Sequence, residues 1–175
     1  ADGNKHYYTD QTDNYLQKNY QLLLNHSFST AWNLNVALHY TKGDGYYEEY
    51  KPGSSLVEYG LKPFNPDGTE TNESDLVRQK KMDNKFGGGV FSLNYTGNRL
   101  TASLGGGLNQ YRGNNFGKVT WVKNYIGNLS PEHEYYRNKS KKTDGNIYLK
   151  ANYDLTSTLS AYADLQYRHI DYTID

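Results

Sequence analysis

The chain has 175 residues, no cysteine, and 19 basic against 19 acidic side chains. The absence of cysteine excludes a disulfide framework and a thiolate metal site. With 15% aromatic residues and 19 tyrosines, the composition argues against simple disorder. The charge balance gives no electrostatic footprint for nucleic acid, and Lys80-Lys81 and Lys139 to Lys142 read as solvated loop patches.

Residues 1–18 are polar and tyrosine-bearing and read as the end of a loop. A hairpin follows over 20–42. Its first strand puts Tyr20, Leu22, Leu24, His26 and Phe28 on one face and Gln21, Leu23, Asn25 and Ser27 on the other. Its second alternates Leu34, Val36, Leu38 and Tyr40 with Asn33, Asn35, Ala37, His39 and Thr41. A period of two over this length is the signal of a strand. Residues 43–80 read as a long loop rich in turn chemistry (Asp44-Gly45, Pro52-Gly53, Pro66-Asp67-Gly68), with Tyr46–Tyr50 and Leu56–Leu61 expected to pair as a β-extension.

A second hairpin spans 85–111. Phe91, Leu93 and Tyr95 alternate with Val90, Ser92 and Asn94, and Leu100, Ala102, Leu104 and Leu108 alternate with Thr101, Ser103 and Asn109. The runs Gly87–Gly89 and Gly105–Gly107 are expected to lie opposite each other across a turn at Thr96–Arg99, where the wall curves. A second long loop covers 112–143. The third hairpin, 146–172, alternates Ile147, Leu149, Ala151 and Tyr153 with Asn146, Tyr148, Lys150 and Asn152. Its return strand alternates Leu159, Ala161, Ala163, Leu165 and Tyr167 with Ser160, Tyr162, Asp164, Gln166 and Arg168.

The expected fold is therefore all-β, an antiparallel meander of about six long strands. Strands of about ten residues or more, short turns alternating with long loops, and tyrosines near strand ends on the apolar face fit the wall of a larger outer-membrane β-barrel. Two other architectures share part of the pattern. A soluble β-sandwich carbohydrate-binding module also alternates, and a small eight-stranded barrel would use the Tyr46–Leu61 segment as wall. No catalytic constellation supports a barrel enzyme: Glu132-His133-Glu134 has no nucleophile motif beside it.

Three segments resemble a known family. They are Asp13–Phe28 (DNYLQKNYQLLLNHSF), Leu34–Lys51 (LNVALHYTKGDGYYEEYK) and Gly88–Tyr95 (GGVFSLNY). They look like the barrel of TonB-dependent outer-membrane receptors of Bacteroidetes-type bacteria. The resemblance implies a location in the outer membrane of a Gram-negative bacterium. It also implies a barrel of about 22 strands closed by a plug, and import of scarce nutrients such as iron chelates, cobalamin or glycans. The plug, its energy-coupling box and an aromatic-ended last strand have no counterpart here. The chain is thus expected to be an interior portion of the barrel, touching the TonB complex only through the plug region that it lacks.

Lipid and a small-molecule nutrient or glycan are the expected partners, with self-association through open strand edges. No enzyme activity and no cofactor are expected. The five histidines have no metal-ligand spacing, and the acidic stretch Asp67, Glu70, Asn72, Glu73, Asp75 lacks the spacing of a calcium loop and reads as a solvated turn. The candidate ligand-binding residues are the loop aromatics Tyr46, Tyr47, Tyr50, Trp121, Tyr125, Tyr135 and Tyr136, whose rings can stack on a sugar face or a flat chelate.

Overall fold

The computed structural model describes residues 11–62, 67, 69, 72–123, 125 and 133–175. Six strands form one antiparallel sheet in sequence order: β1 (Asp13–Ser27), β2 (Trp32–Ser55), β3 (Glu73–Thr96), β4 (Leu100–Val122), β5 (Glu134–Asp154) and β6 (Ser160–Ile174). The fold is the all-β meander that the alternation predicts. Among the described residues the sole helical element is a single 3-10 turn, Val57–Tyr59.

The hairpin turns fall where expected. Phe28 N–H bonds the Trp32 carbonyl at 3.0 Å, Gly97 N–H the Leu100 carbonyl at 2.8 Å, and Leu155 N–H the Leu159 carbonyl at 2.9 Å. The strands, however, run well past the expected hairpin ends. β2, β3 and β4 are 24, 24 and 23 residues long and take in much of the 43–80 and 112–143 segments. Turn-type residues sit inside these extensions because neighbouring strands supply what their own side chains lack. The Tyr15 ring covers Gly43 and Gly45. Glu48 N–H bonds the Thr12 carbonyl at 2.8 Å, and Lys123 N–H bonds the Asp75 carbonyl at 2.9 Å.

The Leu56–Leu61 segment does not pair with Tyr46–Tyr50. It closes on itself, with Leu61 N–H on the Leu56 carbonyl at 3.0 Å and Gly60 at φ 67° reversing the chain. Pro66 and Gly68 of the Pro66-Asp67-Gly68 turn lie outside the described residues.

The chain divides into two compact units. The loop-bearing unit comprises Ala1–Gln17, Gly43–Asp83 and Gly113–Lys139. It holds a small apolar core, in which Leu56, Tyr59, Leu61, Leu76, Val119 and Val122 are buried and Tyr125 and Tyr135 pack against them. The 3-10 turn matters here because it turns Leu56, Tyr59 and Leu61 into one cluster.

The hairpin unit comprises Lys18–Lys42, Asn84–Arg112 and Ser140–Asp175. No hydrophobic side chain among its described residues is buried, and most of its large aliphatic residues are exposed, Leu165 at 71%, while Leu34, Leu93 and Leu100 are half-buried. Its strands are held by the backbone ladder and by cross-strand pairs instead of a core. The β5–β6 register sets Leu149 against Leu165 and Ile147 against Tyr167 on one face, and Lys150 against Asp164 on the other.

The two glycine runs are adjacent but not paired one to one. Gly107 faces Val90, whereas Gly88 faces Asn109, so each run opposes side-chain-bearing residues of its partner strand. Side chains from the strands on the other side fill the space above three of the glycines. Tyr148 lies over Gly105, Tyr40 over Gly87 and Leu38 over Gly89. Gly106 instead faces backbone: a Cβ there would collide with the Asn146 carbonyl oxygen and lie 3.2 Å from Ile147 Cα. Gly106→Ala is therefore expected to cost about 1–3 kcal/mol by prising β4 from β5, read as a lowered denaturation midpoint in detergent. Gly53→Ala meets no atom within 4 Å. Its cost is the left-handed backbone alone (φ 54°), about 1 kcal/mol.

Candidate functional site

The hairpin unit presents two chemically opposite faces, each assembled from alternate residues. On the polar face a continuous amide and hydroxyl network crosses four strands. Asn33 Nδ2 donates to Asn25 and to Ser27, each at 3.2 Å, and Asn35 Nδ2 donates to Asn33 Oδ1 at 2.9 Å and to Ser92 Oγ at 3.3 Å. Asn94 donates to Ser92 at 3.2 Å, and Ser103 Oγ donates to Asn94 at 2.8 Å. Further along, His39 Nε2 is 2.8 Å from Asn109 Oδ1, and Tyr111 donates to Asn84 at 3.0 Å. Arg168 pairs with Asp144, and Lys150 with Asp164 at 3.7 Å. An open cleft of about 520 Å³ lies along this network, lined by Asn25, Asn35, Val90, Ser92 and Tyr148 among others.

The opposite face carries the aliphatic side chains. Leu22, Leu38, Leu104, Leu108, Leu149 and Leu165 are exposed on it. Aromatic residues mark both ends: Tyr20 stacks on Tyr40 with ring centres 6.4 Å apart, and Trp32 packs on Tyr95 at 4.9 Å.

In the loop-bearing unit the predicted aromatic residues separate into two sets. Trp121 (45% exposed) and Tyr50 share an open cleft of about 370 Å³ with Glu48, Val77 and Thr120. Gln79 Nε2 donates to Glu48 Oε2 at 2.8 Å on this side. Tyr46 and Tyr47 lie on the same strand, under the ammonium groups of Lys81 and Lys80 at 5.1 and 5.8 Å.

Tyr125, Tyr135 and Tyr136 are not part of such a platform. Tyr125 and Tyr135 pack on the apolar core, and the Tyr135 ring sits edge-on to Tyr59 at 4.7 Å and to Tyr136 at 4.9 Å. Tyr135 and Tyr136 both cover Gly117. Tyr125 and Tyr135 thus contribute to core packing, and the rings of Tyr135 and Tyr136 fill the gap that Gly117 leaves.

A group not apparent from the sequence ties this core together. Arg78 Nε donates to Glu49 Oε2 at 2.9 Å, and its Nη1 donates to the Tyr59 hydroxyl at 3.1 Å. Lys51 adds a second cation, 3.1 Å from Glu49. Burial pushes the Glu49 carboxyl up, but the hydrogen bonds from Arg78 and Lys51 outweigh it, and the group titrates below the usual carboxylate range. His133 Nε2 lies 2.6 Å from the Tyr59 carbonyl oxygen. A carbonyl only accepts, so that nitrogen carries the proton. Nothing in the sequence marks these partners, since Glu49 and Arg78 stand 29 positions apart.

The acidic residues are committed to local structure. The hydrogen bond from Tyr50, then that from Gly53 N–H (3.0 Å), hold Asp75 below its ordinary value. Asp67 accepts the Thr69 hydroxyl at 2.6 Å, and Glu70 lies outside the described residues. Glu134 forms a fork with Arg137, whose hydrogen bond lowers its pKa. Glu132 of the Glu132-His133-Glu134 triplet is outside the described residues. Among the described residues no three His, Cys, Asp or Glu side chains come together as a metal site.

A scan against protein-family models and a search of curated proteins find no match to this chain.

Among the described residues the buried Tyr135 hydroxyl has no partner at hydrogen-bond length, although the Arg78 charge is near enough to favour ionisation slightly. Burial dominates and pushes its pKa from 10.0 up to about 12. The phenol of the unfolded chain ionises first as pH rises, so this contribution to stability is intact below pH 10.0 and is lost between there and about 12. Tyr135→Phe should flatten that alkaline loss. The wild-type-minus-variant phenolate absorbance should titrate near the upper value.

Proposed function

We propose that this chain is wall and outer loop of an outer-membrane β-barrel, of the TonB-dependent nutrient-importer type that its sequence resembles. One observation carries the reading: the hairpin unit has a face of aliphatic side chains, most of them exposed and none buried, backed by a hydrogen-bonded polar face. In water such a face is a large unfavourable exposure. Against lipid it is the normal outer surface of a barrel, with the polar face lining the lumen.

The dimensions support this. The Tyr20–Tyr40 and Trp32–Tyr95 pairs are eight residues apart on β2, about 26 Å along a strand before tilt. The apolar band of an outer-membrane barrel is about 25 Å tall between its aromatic girdles. Strands of 15 to 24 residues exceed the 9–11 or so that a crossing needs, which leaves length for an extracellular extension. β1 and β6 each have one unpaired edge within this sheet. In a larger barrel further strands pair with them, and in the isolated chain they lead to association.

In this reading the polar face passes a solute inward, and the Trp121–Tyr50 cleft is the aromatic surface at which a sugar or flat chelate is first met. The sandwich alternative requires a second sheet to cover the aliphatic face, and all six described strands belong to one.

Environment-sensitive fluorophores on single cysteines test the reading. Labels at Val36, Leu38, Leu104 and Leu149 should be quenched by lipid-borne quenchers, and labels at Asn35, Ser92 and Ser103 by aqueous ones. Equal response on both faces, or an aliphatic face shielded without lipid or detergent, refutes it.

A further inference from the structure

The aliphatic face of the hairpin unit ends in a row of cations. Each link in the row follows from a cross-strand contact. Tyr20 stacks on Tyr40 and Thr41 donates to Asn19 at 2.8 Å, so the next residues along place Lys18 opposite Lys42. Gly87 lies against Tyr40, so two residues on Lys85 faces Lys42. Gly107 lies against Val90 and Gly88 against Asn109, and the same register sets Arg112 opposite Lys85. Gln110 donates to Thr143 at 3.4 Å, which sets Arg112 opposite Lys141.

The row Lys18–Lys42–Lys85–Arg112–Lys141 therefore crosses five adjacent strands at one level. Its members share the parity of Tyr20, Tyr40, Leu108 and Ile147 and stand immediately beyond the Tyr20–Tyr40 pair. All five side chains are exposed.

Like charges directly opposite on neighbouring strands repel. Strands lie about 4.8 Å apart, so the repulsion repeats along the row. Among the described residues none of the four lysines has an ion pair, and Arg112 bonds only the neutral Gln110, at 2.8 Å. Asp44 and Asp83, two residues further along β2 and β3, leave the row with an excess of positive charge. An alignment that costs stability without internal compensation fits an external anion.

Resting on the barrel reading above, we infer that this row is a binding site for the phosphate groups of membrane lipids. The tyrosines set the edge of the apolar band, and the cations stand where headgroup phosphates lie. Arg112 offers a planar fork to a phosphate oxygen pair, and the lysines act as point charges. Lys141 thus has a role beyond the solvated loop patch that its sequence context predicts.

The test is binding of the refolded chain to phosphatidylcholine vesicles with and without added phosphatidic acid. The wild type should prefer the anionic vesicles, with the preference falling as salt screens it. The triple substitution Lys42→Gln, Lys85→Gln, Arg112→Gln should reduce that preference roughly tenfold or more. Lys150→Gln, on the polar face, should leave it intact. An unchanged preference in the triple variant overturns the site. Full competition by inorganic phosphate also overturns it, since the row would then take the free ion. The Leu38 and Leu104 labels on the triple variant separate the two readings. Retained lipid quenching with lost phosphate preference supports both, and absence of quenching in the wild type points to failure of the barrel reading itself.

Discussion

The hairpin unit is a single layer of strands, and that constraint governs the rest of its chemistry. Among the described residues no hydrophobic side chain of this unit is buried to form a core. Cohesion comes from the backbone ladder and from side chains that reach across to the next strand. Each residue must then suit the medium on its own side. The Asn25–Asn35–Ser92–Asn94–Ser103 network answers this on one side, because each amide satisfies its neighbour. On the other side a run of leucines answers it only if the medium is itself apolar. The loop-bearing unit has a different solution. There a short 3-10 turn folds Leu56, Tyr59 and Leu61 together, and Arg78 bridges Glu49 and the Tyr59 hydroxyl at its margin.

The hairpins were legible in the sequence because a period of two is a local property. Leu34, Val36, Leu38 and Tyr40 declare their strand without reference to anything else. The same local reading fails over 43–55, where Asp44-Gly45 and Pro52-Gly53 carry turn chemistry inside β2. The Tyr15 ring over Gly43 and Gly45 and the Glu48–Thr12 bond hold the strand there, and both come from β1 or the residue just before it. Pairing overrides propensity whenever the partner is remote in sequence.

The candidate site follows the same division. Aromatic residues could be nominated from composition, but their sorting could not. Trp121 and Tyr50 share a cleft because β2, β3 and β4 are neighbours, while Tyr135 turns to the core because Gly117 beside it is bare. The cation row was hidden for a related reason. Its five members are scattered between positions 18 and 141, and only the cross-strand register brings them to one level.

Tyrosine and glycine are each abundant here, 19 and 17 residues, and the structure shows why the two counts belong together. Tyr15 lies over Gly43 and Gly45, Tyr40 over Gly87, Tyr148 over Gly105, and Tyr135 and Tyr136 over Gly117. Each ring spreads across the bare backbone of an adjacent strand, so the pair occupies the area of two ordinary side chains. A side chain on the glycine crowds the ring, and a small residue for the tyrosine leaves backbone uncovered. The expected consequence is that the two members of each pair covary among homologous chains, a signal that would report strand register from sequence alone.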